Sequence, residues 1–297
     1  MNQKFNSAKE WLIVKFLGGA ALLTLLITLG ILYILIDEAY DFFKDISIID
    51  FLTDTKWQPS DPNNPRYGII VILSGTILTT LIAMAVAIPA GLIIAVYLRE
   101  YAHEKLRRVL KPLLELLAAV PTVVYGYFAL TVLTPFLKNI YEDIPVFNAL
   151  SAGIVMGIMI IPIISSLSED ALNAVPKALR EASYGLGATR FQTAFRVILP
   201  AASSGVMVSI ILGIARAIGE TMIVAMAAGT RPTLTMNPIE SVMTITTYMA
   251  ETASGDIVFG STRYKSIFAA GITLFVFTFA LNTLSFYIRR KYQDKYE

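Results

Sequence analysis

The chain has 297 residues, of which 56% are hydrophobic and 15% charged, with a formal net charge of +2. Its apolar residues are gathered into long blocks rather than spread at core spacing, which makes it an all-α, polytopic membrane protein. With no cysteine and His103 as the sole histidine, disulfides, iron–sulfur clusters, thiolate metal sites and histidine-based catalytic clusters are excluded, and no metal or cofactor is expected in this chain.

Lys4, Lys9 and Lys15 precede an uncharged run over 16–36. The run is of span length and lacks a small-x-small cleavage site before Asp37, so it reads as a retained first span and not as a removed signal. Residues 37–67 hold seven acidic and three basic residues and end in the turn-rich Trp57-Gln58-Pro59-Ser60-Asp61-Pro62-Asn63-Asn64-Pro65. Such a segment suits the external face. The next uncharged run, 68–98, is interrupted by Pro89 and is long enough for one span plus an interfacial extension.

Arg99, Lys105, Arg107, Arg108 and Lys111 crowd the short loop that follows and place it in the cytoplasm. The third span is expected over 113–137, containing Glu115, Pro121 and Pro135. An acidic turn at Glu142 and Asp143 leads to the fourth, 146–167, kinked by Pro162. A polar island follows, then a fifth span over 201–228, an external loop over 229–265 and a sixth span over 267–288 ahead of Arg289-Arg290-Lys291. Sixteen Lys and Arg fall on the proposed inner segments and seven on the outer, with Arg216 left inside the membrane. Both termini are therefore expected in the cytoplasm. The expected domains are the first span and acidic segment, 1–67, a membrane domain over 68–288, and a basic tail, 289–297.

The polar island, 168–199, has helical composition on either side of Gly187, where a helix would end and turn. Two short helices joined at that glycine, tethered by spans on both sides, can transmit force as a free loop could not. Its order is Glu181-Ala182-Ser183, three residues, Gly187, nine residues, then Val197-Ile198-Leu199-Pro200. This resembles the EAA loop of permease subunits in type I ABC importers, with Ser183 and Val197 as mild departures. The resemblance implies that Glu181, Ala182, Ser183, Gly187, Leu199 and Pro200 couple the membrane domain to a cytoplasmic ATPase.

Arg216 and Glu220 are the only charges of the fifth span, where a charge costs about 2.5–3.5 kcal/mol to insert. At 100° per residue they share a sector with the small residues Gly205, Ser209, Gly213 and Ala217, expected to face the bundle interior. Met207, Ile211, Ile214, Ile218 and Met222 fall on the opposite side. The spacing of four allows a plain salt bridge that fixes packing; it also allows Arg216, whose planar fork matches a tetrahedral oxyanion, to line a route with Glu220 moderating it. In the third span, Pro121 frees a backbone carbonyl one turn earlier and Thr122 and Tyr125 bring hydroxyls to the kink.

Leu117-Ala118-Ala119-Val120-Pro121-Thr122-Val123-Val124-Tyr125-Gly126 is similar to a motif of phosphate permease subunits, with Thr122 in place of Ser. Phe51-Leu52-Thr53-x-Thr55-x-Trp57-x-Pro59, Ala215-Arg216-Ala217-Ile218-Gly219-Glu220-Thr221-Met222 and the Ala228-Gly229-Thr230 turn resemble the PstC-type permeases of phosphate ABC transporters. Thr230-Arg231 departs from a commoner Asn-bearing turn. The resemblance implies a non-catalytic, inner-membrane permease that pairs with a PstA-like second permease above a PstB-like ATPase dimer carrying ATP and Mg, and that meets an extracytoplasmic PstS-like phosphate-binding protein. A PstA-like subunit and a permease for sulfate, molybdate or another oxyanion are the near alternatives. An ion-coupled secondary carrier is disfavoured by the absence of inverted halves, and a phosphate-sensing scaffold is compatible with transport.

Gly185-x-Gly187 begins like a dinucleotide fingerprint, but Arg190 stands where the last glycine belongs. No Gly-Lys pair exists for a P-loop, so ATP must be hydrolysed by another chain. No nucleic-acid partner is expected. His103 reads as a solvated residue, and the basic loop around it could meet anionic lipid headgroups.

Overall fold

Hydropathy of this kind can be satisfied in a bilayer only by helices that close their own hydrogen bonds, and helices dominate the computed structural model, which describes residues 2–61 and 63–293. Five helical stretches among the described residues are long and apolar enough to cross a membrane: Glu10–Asp45, Ile69–Tyr101, Thr122–Ile140, Ala149–Ala174 and Thr262–Leu284. A sixth is a bent pair, Arg190–Ala201 and Ser203–Ile218, meeting at 74°.

The first span is the upper part of a longer helix, α1 (Asn2–Asp45), which lies along the final helix, α14 (Thr262–Gln293). Only its C-terminal end is packed: Ala39 and Phe42 are buried, whereas residues 10–34 are exposed almost throughout. The acidic segment folds into a cap made of α2 (Ile48–Thr53) and a hairpin of β1 (Trp57–Gln58) and β2 (Arg66–Tyr67), with Trp57 opposite Tyr67. Phe42, Phe51, Trp57, Tyr67 and Tyr248 meet edge to face, so the aromatic residues of the Phe51-to-Pro59 motif are core residues of this cap. Arg66 clamps the hairpin, its Nε 2.5 Å and Nη2 3.0 Å from the two Asp54 carboxylate oxygens. Hydrogen bonding to Arg66 outweighs desolvation and holds the Asp54 carboxyl below its usual range.

The second span is one continuous helix, α3 (Ile69–Val96), prolonged by a π-helical turn over Tyr97–Tyr101. It packs along α7 (Ala149–Ala174) in the central interface of the bundle. The backbones approach closely because Gly153 and Gly157 face α3: a Cβ on Gly157 would sit 2.8 Å from the Ala83 carbonyl oxygen.

Three boundaries differ from expectation. The third span starts at Thr122, not at 113: residues 113–119 belong to α4 (Glu104–Ala119), an amphipathic helix with no buried residue. Val120 and Pro121 break the chain before α5 (Thr122–Phe128), which continues through a π-helical turn into α6 (Thr134–Ile140). The fourth span does not stop at Leu167, because α7 carries Ser168, Glu169 and Asp170 in helix as far as Ala174. The fifth span is broken twice, once at the 74° bend and again after α11 (Ser203–Ile218), where residues 219–221 separate it from the short α12 (Met222–Ala227).

The expected external loop is structured as well. It contains α13 (Ile245–Ser254), whose Ile245, Thr247 and Tyr248 are buried. The basic tail is helical to Gln293; residues 294–297, and the side chains of Arg289, Arg290 and Lys291, lie outside the described residues.

Candidate functional site: an exposed hairpin and a charged helix break

The polar island forms the expected pair of short helices. α8 (Lys177–Gly185) starts after Val175-Pro176, and Gly187 at φ +80° lets it turn. The Ala188 amide donates to the Ser183 carbonyl at 3.2 Å and the Gly187 amide to that of Tyr184 at 2.9 Å, closing a Schellman turn that only a left-handed residue permits. α9 (Arg190–Thr193) follows, with Thr189 and Gln192 forming a reciprocal capping box. Ser183 is buried, its hydroxyl 2.9 Å from that of Thr193, and so bolts the two helices together.

Glu181 and Ala182 point away from this contact and are exposed, as is Gly187; Leu199 is half-buried and Pro200 exposed, in α10 (Leu199–Ala201). Apolar side chains stand out too: Leu186 is 90% exposed and Phe191 62%. On the other side Arg180 reaches the largely buried Glu100 at 2.8 Å, tying α8 to the end of the second span.

The second group surrounds the break after α11. Gly219 ends the helix, and Glu220 then competes with backbone pairing: its Oε1 accepts from the amides of Met222 at 3.1 Å and Ile223 at 3.4 Å. The side chain of Glu220 is buried, while its backbone carbonyl accepts from the Thr246 hydroxyl at 2.8 Å. Arg216 lies on the last turn of α11, its Nη2 3.7 Å from Glu220 Oε2, with its side chain 47% exposed. The two residues therefore pair across a helix terminus and not along one continuous helix.

The small-residue face partly holds. Ser209 bonds Ser168 of α7 at 2.7 Å, and Gly205 and Gly213 face Ala171 and Ile164. Arg216 departs from that buried face and stands exposed at its edge. On the opposite side, expected to meet lipid or another apolar helix, Met207 and Met222 are exposed, while Ile218 is only 2% exposed and Ile214 packs against the core.

Tyr125 and Thr122 sit on α5, which packs on α12: a Cβ on Gly126 would lie 3.2 Å from the Met222 carbonyl oxygen and 3.0 Å from Met226 Cβ. The structure thus brings the Pro121 segment against the helix that Glu220 caps. The Tyr125 hydroxyl donates at 2.8 Å to the Leu117 carbonyl, the acceptor that Pro121 leaves without its usual helical donor. Thr122 is half-buried at the first position of α5.

Several participants escaped sequence reasoning. Thr246 hides in an unremarkable Thr244-x-Thr246-Thr247 run. Glu169, fully buried near the C-terminal end of α7, pairs with Arg107 and, at 3.2 Å, with Lys111, which also meets Asp170 at 3.1 Å. Burial pulls the Lys111 ammonium down, but the two carboxylates outweigh it and hold it above its ordinary range. The signal for this cluster was available: Arg107 and Lys111 are four apart, on one face of a helix.

Comparison with known proteins identifies the family of the chain. The family model for the binding-protein-dependent transport system inner membrane component matches residues 87–294. A probable ABC transporter permease protein of Bacillus subtilis, YqgH, is 38% identical over 248 residues, 83% of this chain and 80% of its own length. The phosphate transport system permease protein PstC of Mesorhizobium japonicum is 31% identical over 289 residues, covering 91% and 86%. Among solved structures, a bacterial alginate ABC transporter in complex with an alginate pentasaccharide-bound periplasmic protein superposes with a TM-score of 0.65 over 98% of both chains at 18% identity. That likeness bears on fold alone. From the matched model, the extent of these relatives and the six-span architecture, the chain belongs to the family of binding-protein-dependent transport system inner membrane components, as a multi-pass permease subunit of an ABC importer.

Proposed function

We propose that this permease forms part of the route by which inorganic phosphate enters the cell, driven by ATP that a separate subunit hydrolyses. The observation that carries the reading is the half-exposed Arg216 guanidinium beside the buried Glu220 carboxylate. A planar cation is matched to a tetrahedral oxyanion, and an adjacent carboxylate keeps the anion from being trapped. Relatives named as phosphate transport permeases support the choice of substrate.

In this reading the α8–α9 hairpin lies in the cytoplasm, as do both termini. Its exposed Leu186 and Phe191, with Glu181, dock into an ATPase dimer that binds ATP and Mg; large apolar residues exposed on a polar loop mark such an interface. A second, PstA-like permease completes the channel, and an extracytoplasmic phosphate-binding protein delivers the anion from the opposite face. Closure of the ATPase pair moves the hairpin, and the broken fifth span switches access to Arg216. Lipid covers the remaining apolar surface.

The test is ATP-dependent uptake of labelled phosphate by the assembled importer, with Arg216→Ala and Glu181→Lys as variants. Both are expected to abolish most uptake; unchanged uptake in both removes the proposal. Competition by sulfate and molybdate separates substrates, and uptake that persists after ATP depletion with the ion gradient intact would identify a secondary carrier.

A further inference from the structure

The hairpin and the charged break lie on different parts of the chain, and something must carry movement from one to the other. α8 is tied to α7 through the two-residue turn Val175-Pro176 and to the end of α3 through Arg180–Glu100. α3 and α7 share the most extensive interface of the bundle, so movement of α8 is passed to that pair.

α4 is attached differently. None of its side chains is buried, and a cavity of about 320 Å³, lined by Leu98, Leu114, Ala118, Ile163 and Leu167 among others, lies between it and the α3–α7 body. The cavity, which Lys111 and Glu169 also line, leaves a gap in the apolar packing between α4 and α7. What fastens α4 is the ion cluster, with Arg107 and Lys111 one turn apart on α4 and the fully buried Glu169 of α7 between them. A buried carboxylate held between two cations is costly to separate from them.

The far end of α4 leads to the Pro121 break. Across it the Tyr125 hydroxyl grips the Leu117 carbonyl, and Gly126 seats α5 against α12 at Met222 and Met226. α12 begins with the two amides that Glu220 holds.

We propose that Glu169, clamped by Arg107 and Lys111, is a positioning residue that makes α4 follow the coupling hairpin, so that hairpin movement turns the Pro121 hinge and resets α5, α12 and the Arg216–Glu220 pair. Glu169 touches no substrate; it acts through α4. The inference rests on the phosphate-importer reading above.

The experiment uses the whole importer, with its ATPase, second permease and binding protein, in proteoliposomes. Phosphate uptake and ATP hydrolysis are measured together for wild type, Glu169→Asp, Glu169→Gln, Lys111→Gln, and the double variant Arg107→Gln/Glu169→Gln. Phosphate transported per ATP is expected to fall about tenfold in Glu169→Gln and two- to fourfold in Lys111→Gln, which keeps the Arg107 pair, with hydrolysis retained. Glu169→Asp should restore most of the ratio. The double variant should be no worse than Glu169→Gln alone, because the two residues act as a unit.

An unchanged ratio in every variant that assembles overturns the proposal. So does failure of all the variants to assemble, since the cluster is then a folding element. If the wild-type importer shows no ATP-dependent phosphate uptake, the functional reading itself has failed, which is a different result from a working importer whose ratio ignores Glu169.

Discussion

Glu220 performs two separable tasks, and two substitutions divide them. Glu220→Gln keeps an amide oxygen for the Met222 and Ile223 amides but removes the charge facing Arg216; Glu220→Ala removes both. At 3.7 Å the charge interaction lies between about 1 kcal/mol in water and about 4 kcal/mol at an effective dielectric constant of 20. Arg216 is 47% exposed, so solvent screening places the term in the lower part of that range, about 1–2 kcal/mol. Released from its partner, the guanidinium should hold a bound oxyanion more tightly by about five- to thirtyfold. Maximal uptake should slow by a similar factor, because release becomes difficult.

A separate binding protein would mask half-saturation values. The informative measurements are therefore the maximal uptake rate by the full importer and phosphate retention by the importer freed of its binding protein. The Ala variant should show, in addition, a thermal stability loss of about 1 kcal/mol for the missing helix cap. Unchanged retention and unchanged maximal rate in Glu220→Gln would refute the moderating role. Equal melting of the Gln and Ala variants would refute the capping role.

Three further outcomes are expected. Gly157→Val drives a side chain into the Ala83 carbonyl and the Val86 side chain, and should destabilise the α3–α7 interface by about 1–3 kcal/mol, seen as a lower melting temperature of the purified protein in detergent. Gly187→Ala meets no atom within 4 Å, so its cost is purely the left-handed backbone, about 1–2 kcal/mol; hydrogen exchange at Ala188 should quicken, and Gly187→Asn should be milder. Because the Asp54 carboxyl is depressed in the folded cap, its contribution is complete above the ordinary carboxylate value of about 3.9 and is lost as pH falls through the depressed one. In a Trp11→Phe background, Trp57 fluorescence should report cap loosening only below that ordinary value, and Asp54→Asn should loosen the cap at neutral pH.

The α8–α9 hairpin was legible because its main instruction is local, Gly187 for the turn; the capping box of Thr189 and Gln192 and the break at Pro176 are local too but went unread. Five of the six spans followed from hydropathy alone, with shifts at their ends. The C-terminal end of α7 was misplaced because Glu169 and Asp170 look like the edge of a span, whereas Glu169 is paired with Arg107 and Lys111 some sixty residues earlier in the chain. No local window contains those partners. The same limit hid the end of the fifth span. Arg216 and Glu220 fit one helical face by count, yet the Glu220 side chain prefers the amides two and three residues ahead and ends the helix. α4 was folded into the third span because its leucines satisfied a hydropathy count, while the break at Pro121 was read as a kink. α13 was missed because its polar threonines, buried against α3 and the Glu220 carbonyl, resemble loop residues.

The naked flank of α1 has a different kind of consequence. Over residues 10–34 almost no side chain meets another part of this chain, so no jigsaw constrains the choice among Leu, Ile, Val and Phe there. Substitution within that alphabet should be silent in the stability of this chain by itself, and only a charge or a loss of length should register. Such a segment has a spelling but almost no grammar: it must be oily and long, and can otherwise be rewritten letter by letter.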